Sequence, residues 1–260
     1  ARYKLHGASP DGKELVIPIN QSAYHNLWVP LGVFQFDAND PKAGVVFLND
    51  LTYESDREIA FDAIRYRQIL GRTPTTTYLA DGFDAPIGTR EERASEKVWP
   101  GHWFDATGYA ARYFIGTPQE AYHTGADLNL NRPYFDADAH SPVYAAASGT
   151  VTFAGRLAGW GNVIIIRHDP LLSTGRVMYS RYAHVQDVRV KVGDRVQRGQ
   201  QIANVGNAEG SQPYHLHFDL SPTDILEKAP WDWPRLDLER LKRDYVDPKE
   251  FIQLNRPPQT

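Results

Sequence analysis

The chain has 260 residues, a formal net charge of −4, 42% hydrophobic and 23% charged residues. This is an ordinary globular composition, which excludes collagen-like, coiled-coil and disordered classes. It holds no cysteine, so disulfide scaffolds, thiolate metal sites and cysteine nucleophiles are ruled out, and any metal has to sit on His, Asp or Glu. No apolar run approaches the roughly 18–20 residues of a membrane span, and the acidic balance leaves no footprint for nucleic acid.

Strand signals dominate along the chain and helical periodicity is scarce. The first region, residues 1–70, carries Trp28, Leu31, Gly32, Phe34 and Phe36 in the order W-x-x-L-G-x-F-x-F. A valine-rich strand follows at Val45 to Leu48, then Phe61, Asp62, Ala63 and Arg65 as F-D-A-x-R. Ile59 to Ile69 is expected to be a short helix or strand. This pattern resembles the later part of the β-sandwich module appended to golvesins and xanthan lyases, which implies a cell-wall polysaccharide as partner. Strands of that module would precede Ala1. The start at Ala1, with the one methionine internal at Met178, leads us to expect a processed or trimmed chain. Residues 71–79, with Pro74 among four threonines, predict a linker.

The third region, residues 80–225, is the most strand-rich. Val163 to Ile166 predicts a buried strand, and Val188, Val190 and Val192 alternating with Arg189 and Lys191 predict another. Many short strands separated by glycine turns read as mainly β. The tail, residues 226–260, contains Asp247, Pro248 and Glu250. These are the N-cap, first-turn proline and third-position glutamate of a short helix through Phe251 and Ile252.

Three segments carry chemistry. In His215-Leu216-His217-Phe218-Asp219-Leu220 the alternation is strict. On a strand it sends His215, His217 and Asp219 to one face and the apolar residues to a core. In His123-Thr124-Gly125-Ala126-Asp127, the glycine and the alternation after it predict a turn entering a strand. In Tyr182-Ala183-His184, a histidine follows a strand. Each segment alone is unremarkable. Together they supply His123, Asp127 and one histidine of the His-Leu-His pair, three N/O ligands of the kind a catalytic zinc site needs, with one position open. The other histidine of the pair and His184 remain beside the metal for proton transfer and oxyanion stabilisation.

In this order, H-x-x-x-D, Tyr-Ala-His and H-x-H resemble the lysostaphin-type zinc metallopeptidases, which cut peptide bridges or stems of peptidoglycan. Supporting similarity runs through Ser141 to Val151, Gly161 to His168 and Val190 to Gln200. The resemblance implies an antiparallel β-sheet metallopeptidase domain of the duplicated hybrid type over residues 80–225, preceded by the partial β-sandwich. It implies one Zn2+ per chain on His123, Asp127 and His217, with His184 and His215 as catalytic residues. It also implies a peptidoglycan peptide as substrate and a secreted, extracellular or cell-envelope location. Trp160, between Gly159 and Gly161, and Tyr214, just before His215, are candidate substrate-binding residues. The chain departs from the family at Glu209 and Tyr214 in the stretch before H-x-H, and at Asp219, where the family has glutamate.

Two other readings compete. A catalytically inactive relative of the same fold could bind peptidoglycan or activate another hydrolase, but such relatives lose ligands and here all five polar positions are present. A biotinyl- or lipoyl-like carrier shares the Val-Gly-Asp hairpin near Gly193. It needs a modifiable lysine at the hairpin tip, and Lys191 is expected within the strand instead.

Overall fold

The computed structural model describes residues 2–8, 14–18, 31–32, 34, 36, 39–48, 63–66, 78–93 and 97–256. The chain divides into two units, residues 1–81 and Gly82–Arg256. In the first, β1 (Arg2–Leu5) lies between β2 (Leu15–Pro18) and β3 (Val46–Phe47), both antiparallel to it. Leu5, Ala8 and Ile17 form its buried core. The valine-rich strand expected at Val45 to Leu48 is present as the short β3. Trp28, Phe61 and Asp62, most of Ile59 to Ile69 and most of the linker lie outside the described residues.

The second unit is built on a seven-stranded antiparallel sheet. In chain order its elements are α1 (Arg90–Arg93), β4 (Phe104–Asp105), β5 (Arg112–Tyr113), β6 (Ala121–Tyr122), β7 (Ala126–Asn129), β8 (Pro142–Tyr144) and β9 (Gly149–Leu157). There follow β10 (Gly161–His168), β11 (Tyr179–Val185), β12 (Arg195–Val196), β13 (Gln201–Asn204) and β14 (Leu216–Ser221). Three helices close the chain: α2 (Ile225–Lys228), α3 (Leu238–Asp244) and α4 (Pro248–Asn255). The sheet order is β12-β9-β10-β11-β14-β7-β4, and β8 with β13 and β5 with β6 make two small ribbons.

Burial explains the sheet's centre. Val163 to Ile166 on β10 and all seven residues of β11 are buried. Both faces are therefore covered, and a continuous β-branched run replaces strict alternation. On one face Val163, Ile165, Tyr179 and Ala183 pack against Leu226, Leu241 and Tyr245 of the closing segment. On the other, Tyr182 stands opposite Phe218 in register, and its hydroxyl accepts from the Ala146 backbone.

Two sequence expectations differ from the fold. Val188 to Val192 forms no strand. Val188, Arg189, Lys191 and Val192 are exposed, and a single bond from the Arg189 backbone to the Ile202 carbonyl of β13 does not make a ladder. Lys191 thus lies in an exposed loop. The tail holds three helices rather than one, because α2 and α3 are too short, at 4 and 7 residues, to show a 3.6-residue period. The expected α4 is present. The Asp247 carboxylate accepts from the Lys249 and Glu250 backbones, with Pro248 in the first turn.

Candidate metal centre

β14 places the central histidine. It pairs with β7 so that His217 faces Asp127, and with β11 so that His217 faces Ala183 and Asp219 faces Arg181. The alternation therefore acts as the sequence predicts: His217 and Asp219 share a face while Leu216, Phe218 and Leu220 enter the core. His215 lies one residue before β14, held by a bridge to Gly206. His123 arrives from the turn before β7. That turn needs Gly125, where a Cβ would stand 2.1 Å from the Phe218 carbonyl oxygen.

The geometry is a triangle. His123 Nε2, His217 Nδ1 and Asp127 Oδ1 lie 3.0 Å from one another along all three edges. Around one zinc, tetrahedral bonds of about 2.0–2.1 Å would set such atoms about 3.3 Å apart. Charge agrees with distance. Burial alone would raise Asp127, but hydrogen bonds with His123 and His217, and their charge, hold it well below the usual carboxylate range. Burial pulls His217 down, yet Asp219 and Asp127 outweigh it and push it up to about 9. Asp219 is paired with Arg181, whereas Asp127 meets the rings of His123 and His217. The remaining negative charge calls for a proton on His217 or a cation in its place. The N/O donor set, spacing and charge all fit a divalent ion such as zinc, and these three residues would hold it.

His184 and His215 stand beside this triangle. Their ring centroids are 4.7 Å apart, and His215 Nε2 lies 3.8 Å from Asp127 Oδ1. His215 Nδ1 donates to the Pro213 carbonyl at 2.9 Å and His184 Nδ1 to the Trp160 carbonyl at 3.0 Å. A carbonyl can only accept, so each ring carries its proton on Nδ1 and keeps Nε2 as a base. Burial lowers both, and neighbouring imidazoles help push His184 down to about 3.

How His184 reaches the site was not readable from alternation. On a regular strand it would point with Tyr182, away from Ala183 and His217. The backbone at His184 is instead left-handed (φ 62°), and the β10–β11 register slips between Asn162 and Ile164. This irregularity turns the ring back toward His215 and His217, the re-aiming that a bulge next to a reactive site provides.

The half-buried Trp160 ring stacks on His184 at 6.2 Å, with 14° between planes, and meets His217 edge-on at 5.2 Å. Tyr214 is further out, its ring 5.4 Å from that of His140 and its carbonyl accepting from the Asn129 side chain. Glu209 lies in a 3-10 turn, Ala208–Gly210, and forms a two-point pair with Arg156 at 2.6 and 2.5 Å. Together they rim a hollow of about 270 Å³ next to Trp160, which Gly159, Gly161 and Ser211 also line. Four residues near the cluster escaped the sequence reading: Asp105, which accepts from the Asp127 backbone at 3.1 Å; Tyr113, edge-on to His123 at 5.4 Å; Thr124; and Arg181. The carboxylate that follows H-x-H-F was the only signal for a buried charge partner.

Comparisons with known proteins agree with the cluster. Residues 121–228 match the model of peptidase family M23, a span that includes His123, Asp127, His184, His215 and His217. The chain is similar to the lipoprotein NlpD/LppB homolog of Pseudomonas aeruginosa, 36% identical over 34% of this chain and 29% of the relative. It is 32% identical to the peptidoglycan DD-endopeptidase ShyA of Vibrio cholerae, over 40% of this chain and 21% of the relative. The chain thus spans less than a third of either relative's length. Lipoprotein NlpD of Yersinia enterocolitica is 38% identical over 30% of this chain, and here the match covers 75% of the relative. With that relative matched over three quarters of its length and the family model laid over every residue of the cluster, the chain belongs to peptidase family M23.

Proposed function

We propose that this chain is a zinc metallo-endopeptidase that hydrolyses peptide bonds in the cross-links or stems of bacterial peptidoglycan. The observation that carries the reading is the 3.0 Å triangle of His123, Asp127 and His217 with two neutral imidazoles beside it. Zinc, when bound, supplies Lewis-acid polarisation of a carbonyl and makes water acidic enough to attack near pH 7.

The chain's own residues do the rest. His123, Asp127 and His217 hold the ion. His215 Nε2, with its ring oriented by the Pro213 carbonyl, takes a proton from the attacking water and returns one to the leaving amine. His184, oriented by the Trp160 carbonyl, stabilises the oxygen that gains charge at the scissile carbon when its Nε2 is protonated. Trp160 and Tyr214 contribute walls for the peptide. The similarity to ShyA, named a peptidoglycan DD-endopeptidase, supports the substrate class, with glycine- or D-alanine-containing bonds as the targets. Relatives named as lipoproteins support a cell-envelope location. No helix among the described residues is long and apolar enough to cross a membrane. Residues 1–70 would act as a separate carbohydrate-binding module that holds the enzyme on wall polysaccharide.

The test is digestion of purified sacculi of glycine-bridged and D-alanyl-linked types, with new termini identified by mass spectrometry. The intact chain with zinc is expected to release peptides from one type. His215→Ala is expected to keep its zinc and lose roughly 10²–10⁴-fold in turnover. A zinc-loaded intact chain that binds sacculi and releases nothing from either type would favour the inactive, binding or activating reading.

A further inference from the structure

Arg181 is the largest fully buried side chain of the molecule's described part, and a buried guanidinium persists only where its donors are satisfied. It lies opposite Asp219 in the β11–β14 register. Its Nε donates to Asp219 Oδ2 at 2.5 Å. Nη1 donates to the carbonyls of Pro230 at 3.1 Å and Asp232 at 2.9 Å. Nη2 reaches Thr124 Oγ1 at 3.5 Å, and the guanidinium carbon stands 4.0 Å from the centre of the Trp160 ring.

Both sides of the candidate centre meet at this one group. Through Asp219 it reaches a metal-facing histidine, because Asp219 Oδ1 lies 3.0 Å from His217 Nε2, the nitrogen turned away from His123 and Asp127. Through Trp160 it reaches the other side, because that ring stacks on His184 and the Trp160 carbonyl fixes His184 Nδ1. The group is itself held by residues past the 121–228 family match. Tyr245, 1% exposed, donates its hydroxyl to Asp232 Oδ2 at 2.9 Å, and Arg240 pairs with the same carboxylate.

We infer that Arg181 and Asp219 are positioning residues of the metal centre, and that the segment from Pro230 to Tyr245 is a structural part of that centre. The inference rests on the zinc reading above. The clamp of two carbonyls fixes the guanidinium, the guanidinium fixes Asp219, and Asp219 orients His217 and raises its basicity as a ligand. Lysine cannot replace the planar fork.

The test measures zinc affinity of the full chain by chelator competition, and the absorption spectrum of the cobalt-substituted protein, for Asp219→Asn, Arg181→Lys and Tyr245→Phe. The expected result is a loss of about 10–100-fold in zinc affinity for the first two, with a shifted cobalt spectrum. A smaller loss is expected for Tyr245→Phe, and recovery toward the parent value for Asp219→Glu. Val143→Ala, a buried change on β8, controls for general destabilisation and is expected to bind zinc as the parent does. If Arg181→Lys fails to fold, the Asp219 and Tyr245 variants still decide. Parent-like affinity and spectrum in folded Asp219→Asn and Tyr245→Phe would overturn the inference while leaving the zinc reading intact. A parent chain that binds no zinc would overturn both.

Discussion

A Cβ added at Gly125 would sit 2.1 Å from the Phe218 carbonyl oxygen and 2.6 Å from Asp219 Oδ1. Gly125 lies between His123 and Asp127, so relief of that clash has to displace β7 from β14 or pull His123 out of the triangle. Gly125→Ala is therefore expected to cost about 1–3 kcal/mol of stability, the usual range for overpacking, and to weaken zinc binding as well. Urea unfolding with and without chelator checks both, and parent-like values in both would contradict the account. That His123, Asp127 and His217 come together was legible in the sequence because each belongs to a short motif with a fixed spacing. The orientation of His184 was not, since it depends on a left-handed backbone and a register slip. Arg181 was not legible either. Its partners come from Thr124, Trp160, Asp219 and Pro230 to Asp232, which only the folded chain brings together.

At the scale of elements, His168 joins three segments. Ending β10, it donates from Nδ1 to the Ala147 carbonyl at 3.1 Å and meets the Ser180 hydroxyl on β11 at 2.7 Å. Its ring is edge-on to Phe83 at 4.8 Å. With Nδ1 donating, Nε2 of the neutral ring accepts from Ser180, and burial disfavours the charged form. Burial pushes it down to about 4 from an ordinary 6.5. The folded pKa lies below the unfolded one, so the stability His168 contributes is complete above about pH 6.5 and is lost as pH falls toward 4. Roughly 2 kcal/mol is expected to disappear between pH 7 and pH 5. Urea midpoints at the two pH values, compared with those of His168→Gln, isolate this share from the other histidines. An equal pH dependence in the two proteins would contradict it. The strand that holds His168 was readable as a β-branched run, because burial on both faces leaves that signature. Val188 to Val192 shows the opposite case, an exposed alternation that makes one backbone bond to β13 and no ladder. The helices α2 and α3 left no periodic trace because each is at most two turns long.

At the scale of the molecule, the unit Gly82–Arg256 contains the whole candidate centre, and its closing segment is as much a part of that centre as the motif strands. This division of labour follows from the sheet. One face is filled by Tyr182, Phe218 and Leu128. The other carries His217, Asp219 and Arg181 and is covered by the residues around Leu226, Leu241 and Tyr245. A buried face lined with charge is stable only if the covering segment supplies polar partners, here the Pro230 and Asp232 carbonyls. The mainly β class was legible from strand and turn frequency, whereas this cover was not, because backbone carbonyls carry no sequence signature. We propose that His123, Asp127 and His217 form one metal site. Metal analysis of the purified, zinc-equilibrated chain beside His217→Ala tests it most directly. One zinc per parent chain is expected and, in a folded His217→Ala, next to none. Stoichiometric zinc retained by His217→Ala would contradict it.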